Sequence, residues 1–502
     1  MNKVYPKPDV EISVISRIKQ LGQDALIYGL GGAASHGVAF LLVPIYTRIF
    51  TPVEYGALEM QLVINAFLDV LLMMGMIPAL TFYFFEKKKE GLEAQAQLVT
   101  AILQWYLIWG ASIIIPAILL SPIWNKFFFN DQLTSSFFAV AFISVLFIQT
   151  TNLISQVFRL TYRPWHFLTI SLGSAWISAA IGLILVVWLK SGILGYFVGL
   201  GVGGAAGVFL GLINIHEYIR WNQWHWDAWP ELLKFGLPLV PASLMTYFLT
   251  ASDRWFINYY LSPYELGLYA LGAKFALVIA FLIQSFGRAF MPFSMDLINN
   301  NDKAEADKSL ALIFRYFSGL GYALIILLTG VAPFMVRLLA PAEYAQAYPI
   351  IGILSLSGLF FGYTYFSSLG CWKAEKTYLY SVSVLMATMM SLLLNVMLIP
   401  AYGIIGAAVA TSIGMLVLAL MSFGLSQWVW KIEFDFLTTW LQMFICLAAM
   451  GVIIYLQSKI VSSQVGIGVT TIVSLGLLVA VTIRKSELIR LWPMLKQKHA
   501  HL

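Results

Sequence analysis

Nine ionisable residues fall inside or at the edges of long apolar runs: His36, Arg48, Glu59 and Asp69 early in the chain, then Asp253, Arg254, Lys274, Arg288 and Arg315. A charge near the centre of a bilayer costs about 2.5 to 3.5 kcal/mol even on insertion scales, so such residues face a wet cavity or a partner. The cations Arg48, Arg254, Lys274 and Arg288 suit phosphate oxygens, Lys as a point charge and Arg as a fork. The carboxylates Asp69, Asp253 and Glu59 and the imidazole of His36 suit exchange of H+ or Na+. Arg48, Glu59, Arg288 and Arg315 sit within a few turns of an expected helix end, where snorkelling to the interface competes with a buried role. Asp69, Asp253, Arg254 and Lys274 lie deeper.

Spacing refines the set. Asp253 and Arg254 are adjacent, and adjacent side chains on a helix diverge by about 100°, which predicts two separate environments for them. Lys274 and Arg288 are 14 residues apart, which returns them to within about 40° of one helix face and separates them by about 21 Å. Such a stripe offers successive stations to an anionic headgroup. If Lys274 instead pairs with Asp69 or Asp253, it serves to hold the helices together.

The elements that position these residues must live in lipid. The chain is 60% hydrophobic and only 11% charged, with a mean hydropathy of +0.82, far from the roughly 25% charge of soluble domains. Apolar segments long enough to span the hydrocarbon core occur near 25–47, 57–85, 97–120, 135–157, 167–189, 192–214, 237–260, 265–293, 309–333, 347–370, 378–399, 402–425, 434–456 and 463–483. About fourteen transmembrane helices are expected. The loops are short, which excludes a soluble catalytic or nucleic-acid-binding domain. No GxxxxGK[ST] occurs, and the Gly-rich run Gly199 to Gly207 lies inside an apolar span, where it reads as packing. Cys371 and Cys446 have no CxxC and no clustered His, so neither a disulfide framework nor a zinc site is expected.

With the N-terminus placed inside, 21 of the 30 basic residues fall in inner segments and 5 in outer loops. Positive loops stay cytoplasmic, so both termini are expected there. Met1 to Asp24 is polar, and the apolar run after it exceeds the length of a cleavable signal core, so the first helix is expected to be retained. The basic tail is expected to be cytoplasmic. Ile215 to Gly236 carries Trp221, Trp224, Trp226 and Trp229 among charges, which suits the headgroup region better than a nucleic-acid platform.

The phrase Ser/Thr-Pro-x-Glu-(Tyr or Leu)-Gly occurs at Thr51 to Gly56 and at Ser262 to Gly267, each after a long apolar segment. This recurrence points to two related halves, and six spans per half, an even number, start both on the same side and so make the repeat parallel. A third echo, Pro341-Ala342-Glu343-Tyr344, lacks the Gly, which leaves shared turn chemistry as the alternative. The expected fold is an all-α polytopic membrane protein with two pseudo-symmetric six-helix bundles. The segments are an N-terminal stretch (1–24), a first bundle (25–214), a linker (215–236), a second bundle (237–425), two further helices (426–483) and the basic tail (484–502).

Three stretches carry a family resemblance. They are Pro44-x-x-Thr47-Arg48 followed by Pro52-x-Glu54-Tyr55-Gly56; Ser252-Asp253-Arg254 through Gly267-Leu268-Tyr269-Ala270 to Lys274; and Asn395 through Ile399-Pro400 to Gly403-x-x-Gly406-Ala407-Ala408. In these the chain resembles the Wzx-type polysaccharide and oligosaccharide flippases of the multidrug/oligosaccharidyl-lipid/polysaccharide exporter superfamily. The resemblance implies two MATE-like bundles around a cavity that opens alternately to either side. It also implies an undecaprenyl-pyrophosphate-linked oligosaccharide as cargo, and a bacterial cytoplasmic (inner) membrane location. It carries a cargo-binding cation to Lys274, and also to Arg48 and Arg254. No cofactor is expected beyond a coupling H+ or Na+; the lipid bilayer and other polysaccharide-assembly membrane proteins are the expected partners, and no nucleic acid is. The alternatives are a lipid II flippase, a drug/cation antiporter of the same superfamily, and a membrane-embedded polymerase or ligase. The last would need acid-base residues on a sizeable outer loop.

Overall fold

A computed structural model describes residues 37–483 apart from 39, 301 and 460–463. His36, the segment 1–24, most of the first predicted span and the basic tail 484–502 lie outside the described residues. The rest is helical: α1 (Phe40–Ile49), α2 (Pro52–Met73), α3 (Met76–Lys87), α4 (Leu92–Leu119), α5 (Ser121–Phe129), α6 (Ser135–Leu160), α7 (Pro164–Leu183) and α8 (Gly192–Asn214). After a Trp-rich connection come α9 (Trp229–Gly236), α10 (Val240–Tyr260), α11 (Pro263–Asn300), α12 (Lys303–Leu339), α13 (Tyr348–Ser367), α14 (Leu369–Lys373), α15 (Tyr378–Val429), α16 (Phe436–Lys459) and α17 (Gln464–Thr482). Hydrocarbon offers the backbone no hydrogen-bond partners, so helices that satisfy themselves are the available solution for such apolar runs.

Twelve of these stretches are long and apolar enough to cross a membrane among the described residues. The predicted spans 378–399 and 402–425 appear as one 52-residue helix, α15, broken by a kink at Gly403. There φ is +60° and ψ −141°, a conformation that glycine adopts without steric cost. Counted as two passes, and with α1 as the described end of the first span, α15 agrees with the expected architecture. The Gly-rich run in α8 packs as expected. A Cβ on Gly199 would stand 2.6 Å from the Gly182 Cα of α7, and one on Gly204 2.9 Å from the Phe147 Cβ of α6, so bare backbone lets three helices close up.

The described helices cluster into two compact units. One comprises Leu71–Val240, and the other joins Val43–Val70 to the chain from Pro241 onward. The sequence division kept 25–214 together; in the structure α1 and most of α2 instead pack with the later helices. The repeated phrase explains why. At Thr51 the backbone N–H donates to Glu54 Oε2 at 2.9 Å, and the Glu54 N–H returns to Thr51 Oγ1 at 3.3 Å. This is a capping box with Pro52 opening the helix. Ser262 Oγ likewise accepts the Glu265 N–H at 3.2 Å ahead of α11. Each phrase therefore starts a helix, and its glycine, one turn in, lets the two helices cross almost backbone to backbone. A Cβ on Gly56 would fall 1.8 Å from the Pro263 carbonyl oxygen, and one on Gly267 1.9 Å from that of Pro52. The third echo joins them: the Tyr344 hydroxyl donates to the Phe50 carbonyl at 2.8 Å, its ring meets Tyr55 edge-on, and the Tyr264 hydroxyl donates to the Glu343 carbonyl at 3.2 Å.

Candidate functional site

Two turns beyond Thr51, α2 carries Glu59 into the same unit, where it is 5% exposed. Two cations meet it. Arg254 Nε of α10 donates to Glu59 Oε1 at 3.2 Å, and Lys274 Nζ of α11 lies 3.5 Å from Oε2. Arg254 also holds Asp253. Its Nη1 donates to Asp253 Oδ1 at 2.9 Å, as does its own backbone N–H at 2.8 Å. The expectation that Asp253 and Arg254 diverge is thus overturned, because the long guanidinium stem curls back along the helix and undoes the 100° offset of the Cβ atoms. The competing expectation for Lys274 is corrected too: its carboxylate partner is Glu59, rather than Asp69 or Asp253. Glu59 itself does not snorkel, since Arg254 and Lys274, both only partly exposed, hold it inside.

Asp253 is 2% exposed and fully engaged. Its Oδ2 accepts the Tyr269 hydroxyl and, at 3.0 Å, the Thr411 hydroxyl. The Arg254 guanidinium stands over the Tyr269 ring, 5.6 Å from its centre. Next door, Asn395 Nδ2 donates to Ser252 Oγ at 3.2 Å. Both arms of α15 therefore reach the cluster, Asn395 before the Gly403 kink and Thr411 after it. The cluster has two acids and two cations, so it is charge-balanced. A carboxylate and a cation each cost several kcal/mol to desolvate, and only mutual pairing with added hydrogen bonds offsets this.

The other expected site residues lie elsewhere. Asp69 is ten residues further along α2, about 15 Å by helical rise, and its Oδ1 is buried without a hydrogen-bond partner among the described residues. Arg48 is exposed on α1, with Nη2 3.4 Å from the Leu338 carbonyl at the end of α12. Arg288 is exposed on α11. Because α11 is unbroken from Lys274 to Arg288, their separation stays near the expected 21 Å. The structure thus brings Glu59, Asp253, Arg254 and Lys274 together and leaves Arg48, Asp69 and Arg288 outside that group. Tyr269 and Thr411 belong to it as well. Tyr269 stood in the resemblance motif without a role, whereas Thr411, one small hydroxyl in an apolar run, carried no signal.

Residues 21–298, more than half of the chain, match the family described as polysaccharide biosynthesis proteins. The chain belongs to that family. This agrees with the resemblance to Wzx-type flippases. A similar curated protein is "Lsg locus putative protein 1" of Haemophilus influenzae, 30% identical over 281 residues, 54% of this chain and 65% of that protein. The match thus spans slightly less than two thirds of that relative's length. Among solved structures, the lipid II flippase MurJ in an inward closed conformation superposes with a TM-score of 0.70 at 16% identity, over 91% of this chain and 98% of its own. A MATE transporter from Vibrio cholerae gives 0.59 at 14% identity, over 83% and 97%. At such identities the likeness is one of fold: this polysaccharide biosynthesis protein shares the multi-pass helical architecture of MurJ and the MATE transporter.

Proposed function

We propose that this protein is a flippase that moves a polyprenyl-pyrophosphate-linked oligosaccharide across the bacterial cytoplasmic membrane, by alternating access. The observation that carries the reading is the convergence of Arg254 and Lys274 on one buried carboxylate, Glu59, within apolar spans. The polyprenyl tail stays in lipid, while pyrophosphate and sugars, costly to drag through hydrocarbon, cross along polar residues. In the structure Glu59 holds both cations. The cargo's pyrophosphate takes the place of Glu59 on Lys274 and Arg254, and Glu59 regains them as cargo leaves. Neutralising Glu59 with H+, or drawing it off with Na+, releases the same cations and so ties cargo exchange to an ion gradient. Asp253 does not exchange; with Tyr269 and Thr411 it keeps Arg254 aimed. Family membership supports a role in polysaccharide assembly, and the MurJ-like fold supports a carrier lipid as ligand.

The test is the sidedness of the lipid-linked sugar after gene deletion. Lipid-linked repeat units are expected to accumulate on the cytoplasmic leaflet while their synthesis continues. Normal outward appearance in a strain with no redundant flippase refutes the reading, and loss of the sugar-linked lipid itself would favour an enzyme of synthesis.

A further inference from the structure

A separate polar cavity of about 850 Å³ lies at the Lys303 end of α12, beside the connection that leads into α16. We infer that it binds the headgroup of a phospholipid that carries both a phosphate and an ammonium, as in phosphatidylethanolamine. Four cations line it, Lys303, Lys308, Arg315 and Lys431, together with Asp307 and Glu433. A third acid, Asp435, is spent on capping α16, where its carboxylate accepts the Thr438 N–H at 3.2 Å and the Thr438 hydroxyl at 2.8 Å.

Two of the lining charges are more than nine-tenths buried: Arg315 is 4% exposed and Asp307 7%. The Asp307 carboxylate accepts a backbone hydrogen bond from Glu433 and lies near Lys303, but its Oδ1 atom has no hydrogen-bond partner among the described residues. A buried carboxylate oxygen left unmatched costs several kcal/mol, so the site calls for a donor at that point. A bare phosphate would serve the four cations but would set its charge against Asp307 and Glu433. An amine alone would meet the opposite difficulty. A phosphate joined by a short linker to an ammonium satisfies both sets at once, and the volume suits a headgroup with its glycerol, since ligand pockets run from about 300 to 1,000 Å³.

The source is a membrane lipid because an apolar strip of the same helix begins at one of the cavity's lining residues. Leu312, which lines the cavity, is exposed, and so are Leu320, Leu327, Val331, Phe334 and Leu338 along the same helix. At 100° per residue these six fall within about 100° of arc, and the stretch of that strip nearest the cavity, Leu312 to Leu327, is the path an acyl chain would take from a headgroup seated at Arg315. None of this involves the Glu59 cluster, so the inference stands apart from the proposed transport.

The experiment is native mass spectrometry of the full-length protein with phosphatidylethanolamine, phosphatidylglycerol and phosphatidylcholine of identical acyl chains, and with free phosphoethanolamine. Phosphatidylethanolamine is expected to be retained about tenfold better than phosphatidylcholine, whose methylated amine donates no hydrogen bond, the worth of one charge-assisted bond. Asp307→Asn should erase that preference while phosphate-dependent retention persists. The double variant Lys308→Ala/Lys431→Ala, at exposed positions that folding does not need, should weaken all three lipids. Equal retention of the ethanolamine and choline lipids, a preference for phosphatidylglycerol, or an unchanged preference in Asp307→Asn would each overturn the inference. Displacement of the lipid by equimolar phosphoethanolamine would overturn the lipid as the ligand.

Discussion

Replacing Glu59 with Gln keeps the shape of the side chain and removes the charge that Arg254 and Lys274 share. At an effective dielectric of about 20, a unit charge 3.2 or 3.5 Å away attracts with about 5 kcal/mol. Desolvation of a carboxylate that is 5% exposed takes back most of this, leaving about 1.5 to 3 kcal/mol for a charged hydrogen bond. Lys274 is about a third exposed, so solvent screening puts its share at the lower end. If the cargo pyrophosphate displaces Glu59 from these cations, the wild-type affinity is reduced by the cost of breaking the pairs. Glu59→Gln should therefore bind a short polyprenyl pyrophosphate such as farnesyl pyrophosphate about tenfold more tightly. Lys274→Ala should bind it about thirtyfold more weakly, a loss of roughly 2 kcal/mol, with Lys274→Arg milder. Isothermal titration of the purified protein in nanodiscs gives both numbers, with farnesol as the control for tail binding. Unchanged or weaker binding by a Glu59→Gln protein that is folded at the temperature of the titration would refute the competition, and with it the placing of pyrophosphate at Lys274.

Gly267→Ala should lose about 1 to 3 kcal/mol or more, because its Cβ would stand 1.9 Å from the Pro52 carbonyl oxygen and only backbone movement can relieve that. Gly424→Ala on α15, with nothing within 4 Å, should be neutral or slightly stabilising; melting of both variants decides the point, and equal midpoints would contradict the crossing. Single cysteines at Asp302 and Ser262 should react with impermeant reagent from opposite sides of the membrane, Asp302 from the cytoplasm, and labelling of both from one side would break the charge-based topology.

The spans were readable because lipid imposes one rule, apolar length, and the chain obeys it without long loops. The repeated phrase was readable as duplication, yet its job was not. A capping box and a glycine are local patterns, but only the fold shows that both glycines meet each other and that Tyr344, from a third copy lacking the glycine, packs beside them. The site was half visible. Asp253, Arg254 and Lys274 stood out as charges in apolar surroundings, whereas Glu59 lay near a helix end, and nothing in linear order joins it to partners about 200 residues away. Asp253 and Arg254 were misread because Cβ directions say little about where a flexible guanidinium ends. Thr411 could not be found at all, since a threonine in an apolar helix ordinarily returns its hydroxyl to its own backbone, as Thr388 does to the Val384 carbonyl at 2.8 Å.

Translocation by the purified protein tests the central claim most directly. In proteoliposomes with an undecaprenyl-pyrophosphate-linked oligosaccharide in both leaflets, access of the inner-leaflet sugar to an external glycan-cleaving enzyme should rise with wild-type protein and stay near the protein-free level with Lys274→Ala. Equal rates for the wild type and a correctly folded Lys274→Ala protein would contradict the account, as would a wild type that moves none of the lipid.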